Sequence, residues 1–186
     1  MTPLCPGLVL FFCVTRGATV VFKDLAIRDC LLNDAFAVIL VRGGSSVTLD
    51  NVEVTDVRNV AAPGVVYSLD STVKIISSVF KNNRGYDGAI LYAQRSDITI
   101  SGCDFMNNLA YDDGVAIWAE DCSTSIEECM FRDNKADYSG GAVFAKVLTA
   151  QTGILMSLQS SGCVGWNVNG QNIQIREQRS LVRRRD

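Results

Sequence analysis

An all-β chain wound as a single-stranded parallel solenoid of about five rungs is the fold this sequence predicts, and three observations carry it. Phe80, Phe105 and Phe131 stand 25 and 26 positions apart, and each is followed three residues later by an asparagine: Asn83, Asn108 and Asn134. A second set of columns keeps the same period: Pro63, Gly88, Gly114 and Gly140 each open a short apolar run in which an aromatic recurs, as Tyr67, Tyr92, Trp118 and Phe144. Between Tyr67 and Ala145 no stretch holds apolar residues at helical spacing.

Taken in order, the first unit runs from Leu8 to Ala35. Phe11-Phe12-Cys13-Val14 falls in register with Val38-Ile39-Leu40-Val41, since Val14 and Val41 are 27 apart. Leu8 to Val14 also has the apolar character of a signal-peptide core, but no Lys or Arg lies between Met1 and Arg16, so the strand reading is preferred. Arg16-Gly17 is a turn, after which Val20 and Phe22 alternate with Val21 and Lys23 as a half-buried strand does. The chain begins inside a repeat, as a solenoid truncated at its N-terminus would. The second unit, Phe36 to Ala62, has Arg42-Gly43-Gly44-Ser45-Ser46 as its turn and Val47-Thr48-Leu49 as its strand.

The next three units are the most regular. Val73, Ile75, Ser78, Phe80 and Asn83 recur as Ile98, Ile100, Cys103, Phe105 and Asn108, then as Thr124, Ile126, Cys129, Phe131 and Asn134. Each has polar loop residues between its asparagine and its glycine. Beyond Ala145 a further unit should place large apolar residues at 150, 152, 155 and 157 and instead has Ala150, Thr152, Leu155 and Ser157. Residues 8–145 are therefore expected to form the repeat domain, and 146–186 a worn last rung with a basic tail containing Arg176, Arg179, Arg183, Arg184 and Arg185.

Physical chemistry favours stacking. A unit places roughly six or seven apolar side chains inward, at about 1.5–3 kcal/mol each, while ordering its backbone costs about 1–2 kcal/mol per residue, so one unit cannot fold alone. Neighbours supply backbone partners above and below and close a shared core. Ile100-x-x-Cys103-x-Phe105-x-x-Asn108 also fits the leucine-rich-repeat pattern, but in each unit the Gly or Pro opens a run of β-formers where that fold often crosses on a helix. The recurring asparagine suits a bend, because its amide bonds backbone groups and tolerates a left-handed φ, and stacked amides can bond one another as a ladder.

Phe80-Lys81-Asn82-Asn83, Phe105-Met106-Asn107-Asn108 and Phe131-Arg132-Asp133-Asn134, with Gly140-Gly141-Ala142-Val143, resemble the Phe-x-x-Asn and Gly-Gly-Ala-Ile repeats of the polymorphic outer membrane proteins. More broadly, they resemble the right-handed parallel β-helix repeats of the pectin-lyase-like superfamily. The resemblance covers about Leu8 to Ala145. It implies a right-handed parallel β-helix and a secreted or surface-exposed, passenger- or adhesin-like region.

Composition bounds the function. The chain has 186 residues, 48% apolar content and a net charge of -3, an ordinary globular balance that offers nucleic acid no overall positive charge. It has no histidine, which excludes Ser/His/Asp and Cys/His nucleophilic schemes and His-containing zinc sites. No apolar run reaches the ~18 residues a membrane-spanning helix needs. Seven cysteines include no Cys-x-x-Cys pair. Cys103 and Cys129 share one column, where stacking brings Cα atoms within about 5 Å, so they read either as a disulfide or as two stacked thiols.

Candidate sites lie in two places. Asp87, Asp112, Asp113 and Asp137 occupy equivalent loops, where stacked carboxylates would favour Ca2+, with Arg84 or Arg95 as the basic residue a polysaccharide lyase needs. Tyr67, Tyr92, Trp118 and Phe144 form a binding ladder if they face outward, for sugar rings or a protein partner. If they face inward they are core, which is the default for an aromatic column, and Val66, Leu91, Ile117 and Val143 then face out. The favoured reading is a non-catalytic interaction module. Its rivals are a carbohydrate-active enzyme of the same architecture and a fragment of a larger β-helix protein with no function of its own.

Overall fold

A computed structural model describes residues 3–4, 12–32, 37–112, 114–137, 142–146, 154–161, 166–169 and 173–177. Among these residues there is no helix, and the strands pair in parallel within three sheets. The first sheet stacks Phe12–Val14, Ile39–Arg42, Val66–Leu69, Leu91–Gln94, Ile117–Glu120, Val143–Lys146 and Trp166–Asn169. The second is the longest. It holds Thr19–Arg28 and Ser46–Thr55, the broken strands Thr72–Ile76 with Val79–Lys81 and Asp97–Ser101 with Asp104–Met106, and then Ser123–Arg132. Two-residue strands make the third: Leu31–Leu32, Arg58–Asn59, Arg84–Gly85, Leu109–Ala110 and Lys135–Ala136. Each rung crosses the sheets in this order. Phe12, Cys13 and Val14 pair with Ile39, Leu40 and Val41, as the spacing predicts.

The interior is a bundle of columns. Phe80, Phe105 and Phe131 are in register, and their rings stack at 5.1 and 4.7 Å with interplanar angles of 8° and 5°. Val54 and Ile27 continue this column toward the N-terminus. A neighbouring column reads Val20, Val47, Val73, Ile98, Thr124 and Ile154. Thr124 is the odd member: it is 4% exposed and its hydroxyl has no hydrogen-bond partner. An orphaned buried hydroxyl carries a desolvation cost that an isosteric methyl does not. Thr124→Val is therefore expected to stabilise the fold by about 1 kcal/mol, read as a higher urea midpoint with unchanged far-UV dichroism.

Each rung bends at three places, and the bends share one grammar. A residue with φ of +46° to +60° comes first: Asp70, Arg95 and Asp121 at the first bend; Ser77, Gly102 and Glu128 at the second; Asn82, Asn107 and Asp133 at the third. The next residue turns a small polar side chain back onto the backbone. Ser71, Ser96 and Cys122 lie 2.9, 2.8 and 3.2 Å from the carbonyl oxygen two residues earlier. Ser78, Cys103 and Cys129 repeat this at 2.7, 3.2 and 3.2 Å. These side chains also accept from the rung on the N-terminal side, as in Val52 N to Ser78 Oγ at 3.1 Å and Ser96 N to Cys122 Sγ at 3.4 Å. The cysteines at 103, 122 and 129 thus do the work of bend serines.

At the third bend the second residue is the laddered asparagine. Asn83 Nδ2 donates to Asn108 Oδ1 at 3.1 Å, and Asn108 Nδ2 to Asn134 Oδ1 at 2.9 Å. The ladder stands as predicted, but the left-handed φ does not fall on it. Asn82, Asn107 and Asp133 hold that conformation, one residue earlier. Asn and Asp tolerate it best, and this leaves the following amide pointing inward.

The C-terminal strands correct the expected register. Ile154–Ser161 pairs on Ser123–Arg132 with Thr124 opposite Ile154, Ile126 opposite Met156 and Cys129 opposite Leu158, and Ile173–Glu177 pairs in turn on Ile154–Ser161. From Ile126 to Met156 is 30 residues, not 26, and from Cys129 to Leu158, beyond a register shift, it is 29, so Ile154 and Met156 lie four residues and Leu158 three residues beyond where the period places them. The predicted sites at Gly140, Ala150 and Thr152, and Arg179 to Arg185 of the tail, lie outside the described residues.

Candidate functional site

The aromatic column lies on the outer face of the first sheet, contrary to the core default. Val66, Leu91, Ile117 and Val143 are buried in the core at no more than 1% exposure, whereas Tyr67, Tyr92 and Trp118 are half-buried; Phe144, at the end of the file, is buried at 8%. Strand pairing sets the four in one file. Tyr67 and Tyr92 stack at 5.2 Å and 8°, Tyr92 and Trp118 at 4.2 Å and 2°, and Trp118 and Phe144 at 5.9 Å and 16°. The reason is the bend before the strand. Val65 and Val66, Ile90 and Leu91, and Ala116 and Ile117 are buried as consecutive pairs, so alternation begins on the second of each pair and sends the aromatic out.

Glycine lets the chain pass close behind the ladder. Gly114 has φ of +63°, and a Cβ there would lie 2.8 Å from Ile117 O and 2.9 Å from Phe144 Cβ. Gly88, with φ of +57°, leaves 2.3 Å to Leu91 O and 3.2 Å to Trp118 Cβ. No side chain fits at either position.

Polar groups border the rings. Two residues beyond Tyr92 on the same face, Gln94 Nε2 donates to Glu120 Oε2 at 2.9 Å and to the Tyr92 hydroxyl at 3.2 Å. Burial, then Tyr67 and the carboxylates of Asp87 and Glu120, pushes the Tyr92 phenol above its ordinary pKa. Gln94 and Glu120 were not singled out from sequence. Their signal is spacing, because a residue two positions after an outward aromatic in a strand is also outward.

The acidic loops are only partly brought together. Asp112 N bonds to Tyr86 O at 3.0 Å and Asp137 N to Ala110 O at 3.2 Å. Extending the strand registers therefore places Asp112 over Asp87 but Asp137 over Tyr111. Asp137 lies 3.5 Å from Lys135 Nζ, and Asp113 is outside the described residues. No three His, Cys, Asp or Glu side chains converge as metal ligands among the described residues. Arg95 sits on a different bend, where it grips both oxygens of Asp70 at 2.7 and 3.0 Å and holds that carboxyl below the usual carboxylate range.

Parallel rungs, three sheets and side-chain ladders in the bends define a single-stranded parallel β-solenoid. The chain belongs to the right-handed β-helix family, matching the description "right handed beta helix region" over residues 12–181. No curated protein and no solved structure matches it. Among the described residues no helix is long and apolar enough to cross a membrane.

Proposed function

We propose that the protein is a non-catalytic interaction module, adhesin- or passenger-like and working outside the cell, that holds a protein partner along the Tyr67–Tyr92–Trp118–Phe144 ladder. The observation that carries this reading is the stacking itself. Rings 4.2–5.9 Å apart and within 16° of parallel occupy one another's faces, so Tyr67, Tyr92 and Trp118 offer solvent a stripe of ring edges that ends on the buried Phe144. A sugar stacks on a ring face, and at these separations no face between neighbouring rings is open to one. A row of apolar edges with polar neighbours suits the packed centre of a protein interface, where Tyr and Trp dominate binding energy. Two observations support an oxidising, extracellular setting: the resemblance to surface-protein repeats, and Cys30, which is disulfide-bonded.

The test applies the labelled full chain to surfaces coated with extracellular-matrix proteins or with neutral and acidic polysaccharides, and assays a polyuronate for cleavage with and without Ca2+. Retention on a protein coat is expected, weakened about 10- to 30-fold by Trp118→Ala and unchanged by Lys74→Ala on another sheet. Retention on polysaccharide alone, indifference to Trp118→Ala, or release of unsaturated oligosaccharides would overturn the proposal; the last would establish the carbohydrate-active reading.

A further inference from the structure

Four cysteines follow a left-handed residue at a bend: Cys30 after Asp29, Cys103 after Gly102, Cys122 after Asp121 and Cys129 after Glu128. Two of them share a column. Met130 pairs with Asp104, and Met130 N bonds to Cys103 O at 2.8 Å, which sets Cys129 directly over Cys103 on the next rung. Both are free thiols at 1% exposure. Cys122 differs, because its neighbour on the N-terminal side is Ser96. Cys30 shows that a cysteine in such a bend position of this fold is already cross-linked.

We propose that Cys103 and Cys129 form an oxidation site, converted by a small peroxide into a disulfide that ties the fourth rung to the fifth. Adjacent parallel strands hold in-register Cα atoms about 4.8 Å apart, within the span of a disulfide. Hydrogen peroxide is little larger than water, so a brief opening of the bend admits it where a bulky oxidant would need the core dismantled. The Cys103 thiolate attacks one peroxide oxygen, the O–O bond breaks, and Cys103 becomes a sulfenic acid with loss of hydroxide. Cys129 then attacks that sulfur, the S–O bond breaks, and the departing hydroxide takes the remaining proton. In sum, two thiols and one peroxide give a disulfide and two waters, with two electrons passing from sulfur to oxygen. A hydrogen bond between the thiols holds the Cys103 pKa below its ordinary value. Burial pushes Cys122 up to about 11, which keeps it a poor competitor.

The experiment treats the full chain with hydrogen peroxide and digests it, unreduced, with a protease that cuts after glutamate. Cleavage at Glu120, Glu127 and Glu128 separates Cys103, Cys122 and Cys129 onto different peptides. The expected product loses two hydrogens and gains a link absent from the untreated chain, which fragmentation of the joined peptides places on Cys103 and Cys129 and not on Cys163, and its melting midpoint rises by about 5–10 °C. Cys103→Ser retains the native dichroism, because Ser78 already fills this column, and shows neither link nor rise; Cys129→Ser gives the same result should the first variant lose its fold. The proposal is overturned if peroxide consumes exposed Cys13 and leaves both thiols reduced, if Cys103 ends as a sulfinic acid, or if Cys129 is found linked to Cys122.

Discussion

Phe105→Ala is expected to lower the unfolding free energy by about 4–5 kcal/mol, the upper part of the range for deleting a buried phenyl ring. Phe105 is fully buried and lies between two stacked rings, 5.1 Å from Phe80 and 4.7 Å from Phe131. Its removal leaves a gap in mid-column that the regular rung spacing prevents from closing, since strands above and below are pinned by their own ladders. Phe131→Ala gives a useful contrast, because among the described residues Phe131 stacks on one ring, that of Phe105, and its register partner on the next rung is Ser160. Urea unfolding followed by far-UV dichroism checks both. A loss below about 2 kcal/mol for Phe105→Ala would mean that the rungs collapse onto the gap.

Asn108→Ala is expected to cost about 3–4 kcal/mol although it deletes no apolar surface. The Asn108 side chain accepts from Asn83 N at 3.0 Å and from Asn83 Nδ2 at 3.1 Å, and donates to Phe80 O at 3.1 Å and Asn134 Oδ1 at 2.9 Å. Truncation strands Asn83 N inside the protein, at about 1–3 kcal/mol for a buried orphan, and removes the amide bonds to Asn83 Nδ2, Phe80 O and Asn134 Oδ1 as well. Aligned amides also polarise one another, so the middle of the row is its most sensitive point. The measurement is the same urea titration, with Asn107→Gly as a control that keeps the left-handed φ at the preceding residue. Equal small losses for Asn108→Ala and Asn107→Gly would remove the ladder from the list of stabilising features.

Much of this was legible because identical side chains one period apart can only lie atop one another. That logic found Phe80, Phe105 and Phe131, the amide row and the strand at Phe12–Val14. It could not tell which way Tyr67 points, because Val66 and Tyr67 are both apolar and alternation fixes only that they differ. The deciding fact is that Val65 and Val66 are buried together around a bend, and bends do not alternate. Asn82-Asn83 posed the same difficulty, since either residue is chemically suited to a left-handed φ. The column of Ser78, Cys103 and Cys129 was legible from the period, whereas that of Ser71, Ser96 and Cys122 was missed for a different reason: read singly these are ordinary small residues, and only their shared carbonyl contact makes them one feature. Past Ala145 the period lengthens by three to four residues at one step, and a fixed ruler laid on the sequence misses Ile154, Met156 and Leu158.

The ladders have a mechanical consequence. Sheet bonds and bend amides all run along the rod, so a pull on its two ends meets them one layer after another. A tug sideways meets them all together. Drawn lengthwise, the rod would pay out one turn at a time, each about 26 residues or some 85 Å of slack, yielding under load as a series of small releases instead of one break.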